Sequence, residues 1–190
     1  MIANKFELTE EVIEHHGHTL HRIKALKDLD FGKTRWVRKG ELGGWIEKEK
    51  NLSQEGNCWV GDDAKVYDNA KVLGEAVVYN DANIYGHSII FEKATISGGA
   101  QVFGNPIICG HTNIVGESKI YDNRGYITFH NTLSDDDYFT WTKDDDMWHY
   151  QGLYLTSEKL KAKAYEIGER NGKFFDAAIE YACKIKELDE

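Results

Sequence analysis

Hydrophobic positions keep a six-residue beat through the middle of the chain. An aliphatic residue returns at Val60, Val66, Val72, Val78, Ile84, Ile90, Ile96, Val102, Ile108, Ile114 and Ile120. Two places before each stands a small or compact residue, running from Cys58, Ala64 and Ala70 through Ser88 and Pro106 to Thr112 and Ser118. Turn formers follow two and three places after, as in Asp68-Asn69, Gly74-Glu75, Gly86-His87, Gly104-Asn105 and Asp122-Asn123. A fixed internal period sets the architecture ahead of any local propensity. Each six-residue unit suits one flat strand and one sharp corner, and three units close a triangular coil. The pattern predicts an all-β solenoid, a parallel β-helix, over residues 51–130.

The flanks lack this beat. Residues 18–28 read as extended structure, and with the regions of Trp36 and Trp45 they predict an N-terminal β cap over residues 1–50. A solenoid needs such a cap because its end is an open sheet edge. Residues 131–155 read as an irregular acidic and aromatic loop. Beyond it, Thr156 or Ser157 caps a helix running towards Asn171-Gly172. Phe174, Phe175, Ala178, Ile179, Ala182 and Ile185 then outline a second, amphipathic helix, so residues 156–190 form a helical appendage.

The rung Ala64-Lys65-Val66-Tyr67-Asp68-Asn69 resembles the hexapeptide repeat of the left-handed β-helix superfamily. That superfamily holds acyltransferases, γ-class carbonic anhydrases and many phage and prophage proteins of unassigned activity. Lys39-Gly40-Glu41-Leu42-Gly43-Gly44-Trp45-Ile46-Glu47, Gly56-Asn57-Cys58-Trp59-Val60 and Met147-Trp148-His149-Tyr150-Gln151-Gly152 resemble the phage-associated branch. The resemblance implies left-handed winding, an exception to the usual crossover rule, and a homotrimer packed about a three-fold axis.

Charge narrows the partners. The net charge is −9, with residues 1–50 near balance and the excess acid lying beyond them. Without a basic face the counterion-release drive for duplex nucleic acid is missing, so no such partner is expected. The runs Asp135–Asp137 and Asp144–Asp146 read as solvated loops. No apolar run has membrane-spanning length, the N-terminus carries no secretory pattern, and the three cysteines form no spaced framework. The expectation is a reduced, cytoplasmic protein, in the host cytoplasm if phage-encoded, with no membrane partner and no cofactor.

A coil of eighteen residues stacks positions eighteen apart at the strand spacing of about 4.8 Å. One outward face then gathers Leu73, Ile89, Phe91, Ile107 and Cys109. Contiguous apolar surface marks a contact, which makes this face the expected trimer seam, with cover by the chain's own C-terminal helices as the alternative. The next face stacks Tyr67, Tyr85, Phe103 and Tyr121 between Lys65, Asn83, Gln101 and Lys119, with Asn69, His87, Asn105 and Asn123 at the following corner. Rings beside amide and ammonium groups suit a planar anionic ligand, while a self-supporting ladder is the rings' default role. The expected ligand-binding set is Tyr67, Tyr85, Phe103, Tyr121, Lys65, Lys119 and His87, assisted by Arg35 or Arg38 of the cap.

Catalytic signals are sparser. His87 and His111 occupy different corners, and either is the alternative general base of an acyltransferase using an acyl-CoA donor. The unbroken repeat leaves no extruded loop for that donor. A γ-class carbonic anhydrase needs three histidines on Zn²⁺, and the spacing of His87, His111 and His130 does not resemble that set. His15-His16-Gly17-His18 with His21 is dense in ligands, yet strand alternation splits His18 from His21, and no metal site is expected. The residues favour a non-enzymatic binding protein, and the resemblance to the phage-associated branch implies one that sequesters a small, nucleotide-like molecule or a host protein to inhibit host defence.

Overall fold

The computed structural model describes residues 4–31, 36–133 and 137–188. The six-residue beat becomes eleven two-residue strands, one every six residues, from β6 (Trp59–Val60) to β16 (Lys119–Ile120). The second residue of each is one of the periodic aliphatics, and all eleven are fully buried. Asn83 pairs in parallel with Lys65 on one side and Gln101 on the other, so the register is eighteen residues. Three parallel stacks result. One is β5 (Leu42–Ile46), β7 (Lys65–Val66), β10 (Asn83–Ile84), β13 (Gln101–Val102) and β16; the second is β6, β9 (Val77–Val78), β12 (Thr95–Ile96) and β15 (Asn113–Ile114); the third is β8 (Lys71–Val72), β11 (Ile89–Ile90) and β14 (Ile107–Ile108). The short strands β3 (Leu29–Asp30) and β4 (Trp36–Val37) pair with each other ahead of them. The chain is a β-solenoid of about four turns with two C-terminal helices.

The corners share one backbone solution. Positions 62, 68, 74, 80, 86, 92, 98, 104, 110 and 116 all adopt positive φ, between 54° and 78°. Glycine suits that region because it has no Cβ to clash; at Gly86 a Cβ would also stand 2.9 Å from the carbonyl oxygen of Gly104. Acids replace glycine where the side chain repairs the cost. The carboxylates of Asp62, Asp68 and Glu92 accept the backbone N–H of Asn80 (3.1 Å), Gly86 (3.2 Å) and Gly110 (2.7 Å), each one coil further on.

At the N-terminal end, β1 (Phe6–His15) and β2 (His18–Ala25) form an antiparallel hairpin, and β2 pairs antiparallel with β5. The two-residue turn His16-Gly17 has φ of 49° and 84°, the double positive φ of a hairpin turn that matches strand twist. The hairpin thus prolongs one parallel stack. Phe6, Ile23, Leu29 and Val37 join the solenoid's core and close its end. Lys5 is fully buried beside them, its Nζ donating to the Cys58 carbonyl at 2.7 Å and approaching Cys58 Sγ at 3.0 Å. Burial holds its ammonium below the ordinary lysine range, although Cys58 opposes the shift.

Residues 131–155 depart from the expected loop. With the preceding residues they build an antiparallel sheet of β17 (Tyr126–Asn131), β18 (Asp137–Thr142), β19 (Met147–Tyr150) and β20 (Leu153–Leu155). Its buried side, Phe139, Trp141, Trp148 and Tyr150, receives Leu160, Ala164, Phe175, Ala178 and Ala182 from α1 (Ser157–Ile167) and α2 (Glu169–Glu187). Three of the acids that suggested a solvated loop, Asp137, Asp145 and Asp146, are hydrogen-bond acceptors, while Asp144 is exposed. Asp137 accepts from the Tyr150 hydroxyl at 2.7 Å, and Asp146 from Trp141 Nε1 at 2.9 Å and Lys186 Nζ at 2.8 Å. Asp145 accepts from Ser118 at 2.6 Å, Thr142 at 2.7 Å and Tyr154. Asp135 and Asp136 lie outside the described residues.

The small-residue column explains itself at this end. It changes from alanine to Thr112 and Ser118 where hydroxyls are needed to reach Thr128 (2.9 Å) and Asp145 (2.6 Å) of the C-terminal sheet. The helix boundary also moves. Thr156 caps α1 as expected, but the break falls at Gly168, not at Asn171-Gly172. Gly172 lies inside α2, where the absence of a side chain admits the Tyr165 ring. No helix among the described residues is long and apolar enough to cross a membrane.

Candidate ligand-binding site

The aromatic column forms as a ladder. Tyr67 and Tyr85 stack at 5.1 Å and 7°, Tyr85 and Phe103 at 5.2 Å and 6°, and Phe103 meets Tyr121 edge-on at 5.5 Å and 64°. The spacing follows from the strand separation, since each ring rides one coil above the last. It also closes the ring faces. A flat ligand between two rings needs contacts of about 3.5 Å on each side, a gap of roughly 7 Å, so this column offers edges and hydroxyls, not slots for a base.

Exposure grades along the column. Tyr67 is buried under the hairpin, in a cluster with Leu20 and Trp45, while Tyr121 at the far end is 62% exposed. Burial, with Tyr85 and Asp68 adding to it, pushes the Tyr67 phenol up to about 12. His15 and His18 pack on this buried end at 5.4 and 5.0 Å from the Tyr67 ring. A cleft of about 420 Å³ opens there, lined by His15, His16, His18, Tyr67, Asp68, Asn83, Tyr85 and Gln101. The imidazolium of His15 is disfavoured first by burial, then by His16 and Lys65.

At the floor of this cleft His18 lies between two carboxylates. Its Nδ1 is 3.2 Å from Glu47 Oε1 and its Nε2 3.5 Å from Asp68 Oδ1. Glu47 Oε2 accepts the Asp68 backbone N–H at 2.8 Å, and Lys48 Nζ stands 3.5 Å away. Burial alone would raise the Glu47 carboxyl; its hydrogen bond from His18, the Lys48 charge and the Asp68 N–H outweigh that and hold it below the usual range.

Around the corner from Tyr67 and Tyr85 a second cleft, of about 410 Å³, is lined by Lys48, Lys50, Asn51, Asp68, Asn69, Ala70, Lys71, His87 and Ile89. The short 3₁₀ turn Glu49–Asn51 delivers Lys48 and Lys50 to it. That turn is held by Asn51, whose Nδ2 donates to the carbonyls of Asp68 (3.2 Å) and Ala70 (2.8 Å). Lys50 and Lys71 have no carboxylate partner among the described residues. Four basic or imidazole side chains thus meet on the acidic solenoid.

The expected site residues divide between these places. Tyr67 and Tyr85 line the first cleft and His87 the second. Lys65 instead donates to the Asp63 carbonyl at 2.9 Å, and Lys119 pairs with Gln101 on the outer coil. Phe103 and Tyr121 line neither cleft. Arg38 lies in the cap, its backbone N–H held by Glu41, and Arg35 is outside the described residues. His111 stacks on Tyr138 at 4.3 Å, which stacks on His130 at 4.6 Å, tying the solenoid to β18.

On the apolar face Ile89 pairs with Ile107, while Leu73, Phe91 and Cys109 follow the same strands. Leu73, Ile89, Phe91 and Cys109 stay half-buried and Ile107 is 46% exposed. The C-terminal helices pack on their own sheet, so their buried side is spent elsewhere. Sequence reasoning missed Lys48, Lys50, Lys71 and the Glu47 and Asp68 partners of His18. Asn51, Asn69 and His87 are eighteen apart, and extending that register back by one coil finds the second cleft's floor. No protein-family model matches the chain, and no curated protein matches it.

Proposed function

We propose that the chain is a non-enzymatic binding protein that captures a small anionic, nucleotide-like molecule at the corner cleft beside His87. The observation that carries this is the convergence of Lys48, Lys50, Lys71 and His87 on one cleft of a chain with net charge −9. Phosphate oxygens accept charge-assisted hydrogen bonds from such groups, and Asn69 adds an amide. The aromatic ladder stands outside this cleft, and recognition is left to charge. The reading includes triangular coils from the six-residue unit, left-handed winding from the repeat's resemblance, and membership of the phage-associated branch from the resemblance of residues 39–47, 56–60 and 147–152. It places a homotrimer seam on the Leu73, Ile89, Phe91, Ile107 and Cys109 face. Ile89 belongs to both cleft and seam, so a neighbouring subunit would complete the ligand's enclosure. Inhibition of host defence from the host cytoplasm is the role this implies.

The acyltransferase alternative fares worse on geometry. A general base works with a group that orients it, and neither His87 nor His111 has a hydrogen-bonded carboxylate among the described residues. The test is a thermal-shift and calorimetric screen of cyclic dinucleotides, cyclic trinucleotides and ADP-ribose, with light scattering for the oligomer. Lys71→Glu should weaken a binder about 10–100-fold, the worth of one hydrogen bond to a charged group. Affinity unchanged in that variant would overturn the site. Capture of a host protein with no nucleotide shift would move the reading to protein inhibition, and acyl transfer that vanishes in His87→Ala would restore the enzyme.

A further inference from the structure

We infer that His18, Glu47 and Asp68 form a binding site for a divalent transition-metal ion of the zinc class. This does not rest on the anion-binding reading. One ligand atom from each of the three lies within 4.8 Å of the other two. Ligands about 2.1 Å from a tetrahedral ion stand roughly 3.4 Å apart, so closure asks these half-buried side chains to approach by up to about 1.4 Å. Glu47 and Asp68 now face different nitrogens of His18, so one carboxylate must also swing to the nitrogen that takes the ion.

The donor set selects the ion. One imidazole nitrogen with two carboxylates suits Zn²⁺ and its neighbours, whereas Ca²⁺ and Mg²⁺ prefer all-oxygen shells. Two carboxylates carry the charge that balances a divalent ion, and His18 then binds as the neutral ring. The surroundings are already organised. Glu47 Oε2 receives the Asp68 N–H at 2.8 Å, and Asp68 Oδ2 receives the Gly86 N–H at 3.2 Å, which aims Oδ1 at His18. Such outer hydrogen bonds hold ligands in place and raise metal affinity.

Two further observations point to the same spot. His18 and Asp68 line the cleft shared with His15 and His16, which leaves room for water on the ion. His15 Nε2 and Asn83 Oδ1 are withdrawn from solvent beside that cleft, where the His15 ring interacts with the Asn83 side chain. His15, His16 and Asn83 share that cleft with His18 and Asp68.

The experiment is calorimetric titration of Zn²⁺ into the metal-stripped full chain, followed by thermal unfolding with and without the ion. Wild type should bind one ion per chain saturably and unfold at a higher temperature with Zn²⁺. Glu47→Gln and Asp68→Asn, which keep an acceptor for the Asp68 and Gly86 N–H groups, should each weaken binding by more than about tenfold. His18→Ala should weaken it further, and far-UV circular dichroism checks that each variant is folded. His21→Ala should bind as wild type does, because His21 Nδ1 faces the Thr9 carbonyl at 3.4 Å. Absence of saturable binding at 100-micromolar order (about 10⁻⁴ M, the weak end of metal sites), equal affinity in Glu47→Gln and Asp68→Asn, or equal loss in His21→Ala would each overturn the site.

Discussion

Removing the Tyr85 ring should cost stability and leave anion binding nearly intact. Tyr85 stacks on Tyr67 at 5.1 Å and on Phe103 at 5.2 Å, both within 7° of parallel. Each aromatic pair contributes about 0.5–1.5 kcal/mol beyond area burial, so Tyr85→Ala forfeits roughly 1–3 kcal/mol of stacking. Re-exposing the half-buried ring adds about 1 kcal/mol, for a total near 2–4 kcal/mol. Tyr85→Phe keeps both stacks and should cost less than about 0.5 kcal/mol. Equilibrium urea unfolding, followed by circular dichroism and tryptophan fluorescence together, reads these values where the two probes coincide. A cycle with Phe103→Ala should return a coupling of about 0.5–1.5 kcal/mol. A cost below about 0.5 kcal/mol for Tyr85→Ala, with ligand affinity collapsing, would refute the ladder and make the ring a recognition element.

Asp145→Ala should loosen the C-terminal sheet by roughly 2–3 kcal/mol, because it strips a charged acceptor from the hydroxyls of Ser118, Thr142 and Tyr154. Hydrogen exchange should then accelerate in β17–β20 and not in the solenoid's middle coils; uniform acceleration would count against a separate C-terminal unit. Stability should fall as pH rises above about 10. The phenols of Tyr67, Tyr126 and Tyr154 are each pushed up to about 12, chiefly by burial, so the folded state holds protons that the unfolded chain has released. That contribution is whole below pH 10 and is lost as pH climbs through 12, and a melting temperature flat across that window would contradict it.

The solenoid was legible because its signal is geometric. A period of six with one inward aliphatic per unit leaves little freedom, and the structure buries Val60 through Ile120 without exception. The eighteen-residue register likewise put Tyr67, Tyr85, Phe103 and Tyr121 in one column before any coordinates. What it could not give was ring orientation, which turns a stacking platform into a closed ladder. The C-terminal sheet escaped notice because its alternation, Phe139 and Trp141 then Trp148 and Tyr150, is split by the acids of the turn at 143–146. Those acids look solvated in sequence and are hydrogen-bonded in space. The His18, Glu47 and Asp68 cluster comes from a hairpin, a strand end and a corner. The β2–β5 pairing, His21 opposite Ile46, sets His18 by Glu47, and the β5–β7 pairing, Ile46 opposite Val66, brings in Asp68.

Register explains why recognition gathers at the corners. On a flat rung the residue above is fixed one strand spacing away, so like side chains stack and cover one another, as Tyr85 and Phe103 do. At the corners the backbone turns through positive φ at positions such as Asp68 and Gly86, and Asn69 and His87 follow directly after them. Asn69 and His87 therefore keep their polar ends available where Tyr85 does not. The first coil adds groups outside the repeat, because the 3₁₀ turn brings Lys48 and Lys50 over a corner whose own column supplies amides. Lys71 completes the set from the adjoining strand. Where the repeat begins, residues from outside it can thus add charge to a corner, and Lys48 and Lys50 do so here beside Lys71 and His87.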